Sequence, residues 1–158
     1  MRKIVDTMEM IEGTPRPHYL VGKGDYRREG NLMTFSVGVN FKSEGHPSIL
    51  DRTDKYVSKP HVNAEDCCFA LWNAVHIMSQ LNNYGSRTLR KRIEITPFQI
   101  VPPDAGLRLE VQGTEDDRKL KIRESIYSTG KFEGKFFLED TELIRIASKY
   151  CAEIPLDF

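Results

Sequence analysis

A long apolar segment near the middle of the chain constrains the fold more than any other feature of the sequence. Most positions of residues 64–81 are apolar, and a helix that is apolar on most of its faces has to be surrounded by other elements. Its most apolar part, residues 67–81, is flanked by Asp66 and interrupted by Asn73 and His76, so it is too short and too polar to span a bilayer. The sequence therefore predicts one long central helix over residues 63–83 and no membrane span.

Polar residues mark the start of this helix. Asn63 has a side chain suited to N-capping, and Glu65 and Asp66 follow in the first turn, where the helix dipole favours negative charge. The free N–H groups at such a helix end can polarise a carbonyl oxygen. The sequence therefore indicates the N-terminus of the helix as a candidate active site.

Alternating apolar residues predict strands before and after the helix. Residues 31–41 alternate with a period of two, as a half-buried strand does. Further strands, each bounded by turn residues, are predicted at 92–101, 107–112, 120–127 and 132–138. Residues 141–150 fit either a helical turn or a last edge strand. The short connections after the helix imply an antiparallel meander.

The pattern as a whole predicts an α+β fold in which an antiparallel sheet of about five or six strands wraps around one central helix. The chain has 158 residues and no internal shift in composition, so a single domain over 1–158 is expected, with residues 1–30 as a lead-in segment. The stretch from 42 to 62 lacks periodicity and is rich in turn-forming residues, which predicts an ordered loop leading into the helix.

Charge and cysteine content exclude several classes of partner and site. Lys plus Arg and Asp plus Glu number 23 each, so no net field favours nucleic acid or an anionic membrane. The three cysteines have neither a disulfide framework nor a zinc-ligand spacing, and no metal site is expected. The N-terminus lacks the apolar core of a secretory signal. A cytoplasmic location is therefore expected.

Polar side chains recur along the predicted helix at spacings that place them close to one stripe. They are Asn63, Asp66, Asn73, His76 and Gln80, with the small Ala70 between them. This stripe either lines a cleft, or faces solvent and hydrogen-bonds to neighbouring backbone. The cleft is favoured because the stripe begins at a helix N-terminus and follows the loop that carries Tyr56 and His61.

The order of strand, loop, buried helix and four antiparallel strands resembles the hot-dog superfamily of thioesterases and dehydratases. Shorter motifs are similar to the FcoT-like acyl thioesterase family, with Pro60 and Val62 standing where that family has a glycine and an aromatic residue. The matching segments are His18-Tyr19-Leu20-Val21, Tyr56-Val57, His61-Val62-Asn63-Ala64 and Asn73.

The resemblance implies that Tyr19, Tyr56, Asn63 and Asn73 line a pocket for an acyl thioester. It also implies a homodimer or higher assembly, because hot-dog pockets generally lie at a dimer interface. The substrate would be a fatty acyl-CoA or acyl-carrier protein, with coenzyme A or phosphopantetheine as part of the substrate and no separate cofactor. Some relatives add glycine to an enoyl group on a carrier protein, so hydrolysis is not the only chemistry implied.

The residue types suit thioester chemistry without a covalent nucleophile. Asn63 and the helix N-terminus would hold the thioester oxygen, and Tyr56 would orient the substrate or donate a proton. Asp66 or Glu65 is the candidate general base, with helix capping as the alternative role for both. Ala70 and His76 are expected along the acyl group.

Two other functions remain open from the sequence. His61 with an acidic residue would also suit a 3-hydroxyacyl thioester dehydratase or enoyl hydratase of the same fold, in which the two groups exchange protons with the acyl chain. A non-catalytic acyl-binding dimerisation module would need no catalytic group. The sequence therefore favours a thioesterase-like hydrolase over these two alternatives.

Overall fold

The computed structural model describes residues 1–10, 17–43, 61–84 and 88–156. Within these ranges the chain forms eight strands and one helix. In chain order they are β1 (Arg2–Asp6), β2 (Leu20–Glu29), β3 (Leu32–Val39), α1 (Ala64–Leu81), β4 (Thr88–Pro97), β5 (Leu107–Glu115), β6 (Leu120–Ile122), β7 (Ser125–Leu138) and β8 (Thr141–Ile154).

The eight strands form one antiparallel sheet. Its order is β1-β2-β3-β5-β7-β8-β4, and the short β6 pairs with the first residues of β7. The register places residues of five neighbouring strands in one row across the sheet, on the face that α1 covers. This row consists of Phe35, Val111, Gly134, Ile146 and Ile95.

The helix packs on one face of this sheet. Twelve of its 18 residues are buried, and Leu71 lies over Gly134, where a β-carbon would approach its Cδ1 to 2.7 Å. The apolar side chains among them leave water on folding, and their burial stabilises the packing of α1 on the sheet. No helix in the described ranges is long and apolar enough to cross a membrane.

The helix predicted over 63–83 is observed over Ala64–Leu81, and the predicted strand at 31–41 is observed as β3. The strand count was wrong, because the sheet has eight strands rather than five or six. Residues 1–30 are more than a lead-in, since they contain β1 and β2. The strand β2 escaped prediction because its outward positions are charged and only Leu20, Gly24 and Tyr26 are buried.

Two further boundaries differ from the sequence prediction. A turn at Arg123, whose φ is +54°, divides the strand predicted at 120–127 into β6 and the start of β7. Residues 128–130, the predicted turn between the strands at 120–127 and 132–138, lie inside β7. Gly130 fits there because a β-carbon would meet the Thr114 carbonyl oxygen at 2.1 Å. The last segment is a strand, β8, and it lies between β7 and β4 rather than at an edge.

Candidate functional site

The N-terminus of α1 is built by Asn63 acting as the N-cap. Its backbone is extended (φ −81°, ψ 167°), and its Oδ1 accepts a hydrogen bond from the Asp66 amide at 2.9 Å. A helix leaves its first amides without acceptors inside the helix, so those of Ala64 and Glu65 point away from α1. The preceding residue, Val62, is fixed by a hydrogen bond from its amide to the Val101 carbonyl at 2.9 Å.

The predicted residues Tyr19 and Asp66 meet beside this N-terminus. The Tyr19 hydroxyl donates to Asp66 Oδ1 at 2.9 Å, and both residues are buried. The Tyr19 ring also packs on Phe41, with 4.8 Å between ring centroids. The residue just before β2 therefore holds a carboxylate of the first helical turn in place.

The predicted residue Asn73 ties the same segment to the helix two turns farther along. Its Oδ1 accepts from the Tyr19 amide at 3.1 Å, and its Nδ2 donates to the Pro17 carbonyl at 3.4 Å. Asn73 is fully buried. A buried side-chain amide with both ends engaged by backbone fixes the approach of one chain segment to another.

The structure divides the predicted polar stripe of the helix into two parts. Asp66, Ala70 and Asn73 are buried, and Ala70 belongs to the core. Glu65 is exposed, while His76 and Gln80 are half-buried. Glu65 and His76 therefore lie on the side of α1 turned away from the sheet, whereas the polar side chains of Asp66 and Asn73 are buried beside them.

Two other predicted site residues are Tyr56 and His61. Tyr56 lies outside the described residues, as does most of the loop predicted at 42–62. His61 is half-buried directly before the Val62–Val101 bridge. The structure thus brings Tyr19, Asp66 and Asn73 into one hydrogen-bonded group, which Asn63 joins by accepting from the Asp66 amide.

A second polar group, which the sequence did not predict, lies beyond the C-terminus of α1. Glu115 is buried, and Arg28, Lys119, Tyr84 and Ser128 all donate hydrogen bonds to its carboxylate. Arg28 is 87 residues from Glu115 in the chain, so no local pattern could have revealed their contact. We call these five residues the Glu115 cluster.

Electrostatics in the Glu115 cluster favour the ionised carboxylate. Burial alone would raise the pKa of Glu115, but hydrogen bonds from Lys119, Tyr84 and Ser128 and the charge of Arg28 lower that pKa to about 2. Burial raises the pKa of Tyr150, whose hydroxyl lies 3.2 Å from Ser128 Oγ. The cluster thus holds a fixed negative charge among fixed donors, which suits a structural role.

The Cys67 thiol lies in the buried part of the first turns of α1. Burial raises the pKa of the Cys67 thiol, which keeps it protonated and unreactive at neutral pH. Within the described residues, no group of three or more His, Cys, Asp or Glu side chains could hold a metal ion.

The edge of the sheet at β4 is apolar and uncovered. Ile95 is the β4 member of the row that includes Ile146 on β8. Unlike Ile146, which is buried, Ile95 has 41% of its surface exposed. Ile93, Phe98 and Ile100 are also exposed. Within the described ranges β4 pairs only with β8, so its other side presents free backbone groups beside these side chains.

Comparison with known proteins gives a likeness at the level of the fold. No protein-family model matches the chain, and no curated protein matches it. A candidate thioesterase from Lactococcus lactis has a similar structure, with a TM-score of 0.50 at 12% sequence identity over 84% of this chain and 90% of that chain. A candidate thioesterase from Shewanella oneidensis has a TM-score of 0.45 at 13% identity, covering 84% of each chain.

The architecture and the likeness to the Lactococcus lactis structure agree. One helix packs on a single antiparallel sheet, and the similarity spans most of both chains. At such low identity the comparison carries the fold and leaves activity open. The described residues therefore have a hot-dog fold, with a sheet of eight strands.

Proposed function

We propose that this protein is a thioesterase-like enzyme that acts on a fatty acyl-CoA or acyl-carrier thioester at the N-terminus of α1. The observation that supports this most directly is the arrangement of that N-terminus. Asn63 caps it, first-turn amides point out of it, and the Asp66 carboxylate is held beside it by Tyr19. Amides in this position stabilise the negative charge that develops on a thioester oxygen during attack.

The proposed reaction is hydrolysis. A carboxylate takes a proton from a water molecule, whose oxygen forms a bond to the thioester carbon. The negative charge on the carbonyl oxygen is stabilised by the amides of the first turn and by the Asn63 side-chain amide. The carbon–sulfur bond then breaks, and the sulfur leaves as the thiol after taking up a proton. The products are a carboxylic acid and the free pantetheine thiol.

Glu65 and Asp66 are the two candidates for the general base. Glu65 is exposed, so its carboxylate can reach water and substrate. Asp66 is buried, and its Oδ1 already accepts the Tyr19 hydrogen bond. Tyr56 completes the proposed catalytic group by orienting the substrate or donating a proton, and His61 precedes the cap. Replacing Glu65 and Asp66 separately decides which carboxylate is the base.

The proposed enzyme works as a homodimer joined through β4. The exposed side chains of Ile93, Ile95 and Phe98 beside unpaired backbone groups suit pairing with a second copy of the same strand. A second protomer would also cover the side of α1 that carries Glu65 and His76, where the acyl group would lie. The three cysteines are thiols rather than disulfides, which fits a reducing compartment and supports a cytoplasmic location.

The test is to incubate the purified protein with saturated, enoyl and 3-hydroxyacyl thioesters and to follow free thiol and product mass. Asn63→Ala removes both the cap and the side-chain amide, whereas Asn63→Ser keeps a capping oxygen and removes only the amide. We expect both variants to lose at least about tenfold in kcat/KM if the amide binds the thioester oxygen. If only the Ala variant is impaired, the role of Asn63 is capping.

The carboxylates are tested with matched amides. Either Glu65→Gln or Asp66→Asn is expected to lower kcat by about 100-fold or more, as removal of a general base does. Glu139→Gln, at an exposed carboxylate in the β7–β8 turn, is the control that keeps full activity. Thiol release that is absent with every thioester would overturn the proposal, and hydration or dehydration without thiol release would replace it with hydratase chemistry. Addition of an amine to an enoyl thioester would show as a product heavier by the mass of the amine.

A further inference from the structure

A groove of about 400 Å³ lies on the face of the sheet turned away from α1. We call it the outer groove. Six of its lining residues define it: Leu120, Ile122, Thr129, Lys131, Lys149 and Cys151. Thr129 and Lys131 alternate along β7 with the buried Ser128, Gly130 and Phe132, so they point away from the helix. The sheet thus separates the outer groove from the N-terminus of α1.

One end of the outer groove is apolar and open to solvent. Leu120 and Ile122 occupy alternate positions of the short strand β6, so they share a face, and their exposed fractions are 43% and 51%. Half-exposed aliphatic side chains beside a cavity gain free energy when an apolar ligand covers them. This end of the groove therefore suits an alkyl chain.

The other end carries two lysines of like charge. Lys131 and Lys149 are directly opposite each other in the register of β7 and β8, an arrangement in which like charges repel. Neither ammonium group has a hydrogen bond or an ion pair with any residue in the described ranges. Lys91 follows in the same register on β4, opposite Lys149.

Two of the acidic residues near these lysines have other partners. Asp116, at the end of the groove, accepts a hydrogen bond from the Thr129 hydroxyl at 2.8 Å. Glu133, next along the same face of β7, pairs with Lys135 at 3.7 Å. The two lysines outnumber the one carboxylate that lines the outer groove, that of Asp116, so the lining carries a net positive charge, and a bound anion would relieve the repulsion between the two lysines.

We propose that the outer groove binds an unbranched medium-chain fatty acid, with the carboxylate between Lys131 and Lys149 and the alkyl chain along Leu120 and Ile122. Two ammonium groups can donate charge-assisted hydrogen bonds to one carboxylate. A volume of 400 Å³ is at the small end of the range for ligand pockets, which favours a chain of medium length. This site goes beyond the proposed active site, since it lies on the opposite face of the sheet.

The test is calorimetric titration of the full chain with decanoate below its micellar concentration, together with ¹⁵N NMR spectra of the same titration. We expect saturable binding and shifts of the Leu120, Ile122, Thr129 and Lys149 amides. Decanol has the same chain without the charge, and acetate has the charge without the chain. Both are expected to bind at least about tenfold more weakly than decanoate.

Matched variants locate the site. The double substitution of Lys131→Gln with Lys149→Gln, and separately Ile122→Ser, are each expected to weaken decanoate binding at least about tenfold. Lys3→Gln on β1, at the far edge of the sheet, and Leu138→Ser, at the end of β7, are the controls that leave the affinity unchanged. Thiol release from acyl thioesters should be unaffected by the lysine pair, which separates this site from the proposed active site.

Three results would overturn the proposal. The first is an absence of decanoate binding. The second is binding that the lysine and Ile122 substitutions leave unchanged, which would place decanoate elsewhere. The third is lysine-dependent binding to phosphatidylglycerol vesicles without binding of free decanoate, which would assign the surface to a membrane.

Discussion

The Tyr19 hydroxyl donates a hydrogen bond to Oδ1 of Asp66 across 2.9 Å, although the two residues are 47 positions apart in the chain. This contact joins the segment before β2 to the first turn of α1. The Asn73 side chain joins the same segment to α1 at a second point, through the Tyr19 amide. The Asp66 carboxylate, in the first turn of α1, is therefore positioned by a chain segment that contacts the helix at two points.

The first prediction concerns the Tyr19–Asp66 contact. Tyr19→Phe removes the hydroxyl that donates to a buried carboxylate, so it is expected to lower the free energy of unfolding by about 1.5–3 kcal/mol. Urea unfolding followed by circular dichroism measures this change. Tyr127→Phe, at a half-buried tyrosine of β7, is the matched control and should stay within about 0.5 kcal/mol of wild type. An equal effect of the two variants would contradict a specific role for the Tyr19 hydroxyl.

The second prediction concerns the pH dependence of stability. The pKa of Glu115 is about 2 in the folded protein and lies below its ordinary value of 4.5. Its contribution is therefore fully present above about pH 5 and is lost as the pH falls through 4.5 towards 2. Wild type is expected to be more stable than Glu115→Gln at neutral pH, by about 2 kcal/mol. This advantage should shrink as the pH is lowered.

Chemical unfolding of wild type and Glu115→Gln at several pH values between 2 and 7 measures that advantage. Glu124→Gln, at an exposed carboxylate in the turn between β6 and β7, is the control and should stay close to wild type throughout. A difference in the free energy of unfolding between wild type and Glu115→Gln that stays constant across this range would show that ionisation of Glu115 does not stabilise the fold.

The third prediction concerns close packing at Gly130. A β-carbon at this position would lie 2.1 Å from the Thr114 carbonyl oxygen and 2.6 Å from the Tyr150 ring. Because backbone has to move to make room, Gly130→Ala is expected to cost about 1–3 kcal/mol of stability. Gly106→Ala has nothing within 4 Å of the new carbon and serves as the control. Thermal unfolding that ranks the two variants in the reverse order would refute the packing argument.

The fourth prediction concerns the assembly. Ile95 lies on the free β4 edge, so Ile95→Lys is expected to turn a dimer into a monomer by placing a charge in the interface. Ile4→Lys introduces the same charge on β1, at the opposite edge of the sheet, and should leave the dimer intact. Light scattering after size-exclusion chromatography measures the mass. A monomeric wild type, or a dimer that survives Ile95→Lys, would rule out assembly through β4.

The sequence predicted the features that depend on local pattern. The apolar run fixed the extent of α1, and Asn63 was identified as its cap from residue type alone. The strand β3 followed from strict alternation. Charged outward positions obscured β2, and the length of β7 was hidden by Ser128 and Gly130, which resemble turn residues but are buried in a strand.

The contacts between distant residues could not be predicted. Nothing near Glu115 in the chain indicates that Arg28 and Tyr84 converge on it. The hydrogen bond from the Tyr19 amide to Asn73 joins residues 54 positions apart, and it forms only when the fold brings their two segments together. The polar residues of α1 could be named from residue types, whereas the hydrogen bonds that join them to other segments depend on the fold.

The position of β8 between β7 and β4 also affects the order in which the chain can fold. On the ribosome, β4 is complete well before Thr141, yet its partner within the described residues is β8, which begins only at Thr141. A nascent chain therefore carries an unpaired aliphatic edge until β8 has been synthesised. During synthesis this interval is when the protein depends most on chaperones, and premature termination before Thr141 would release an aggregation-prone product.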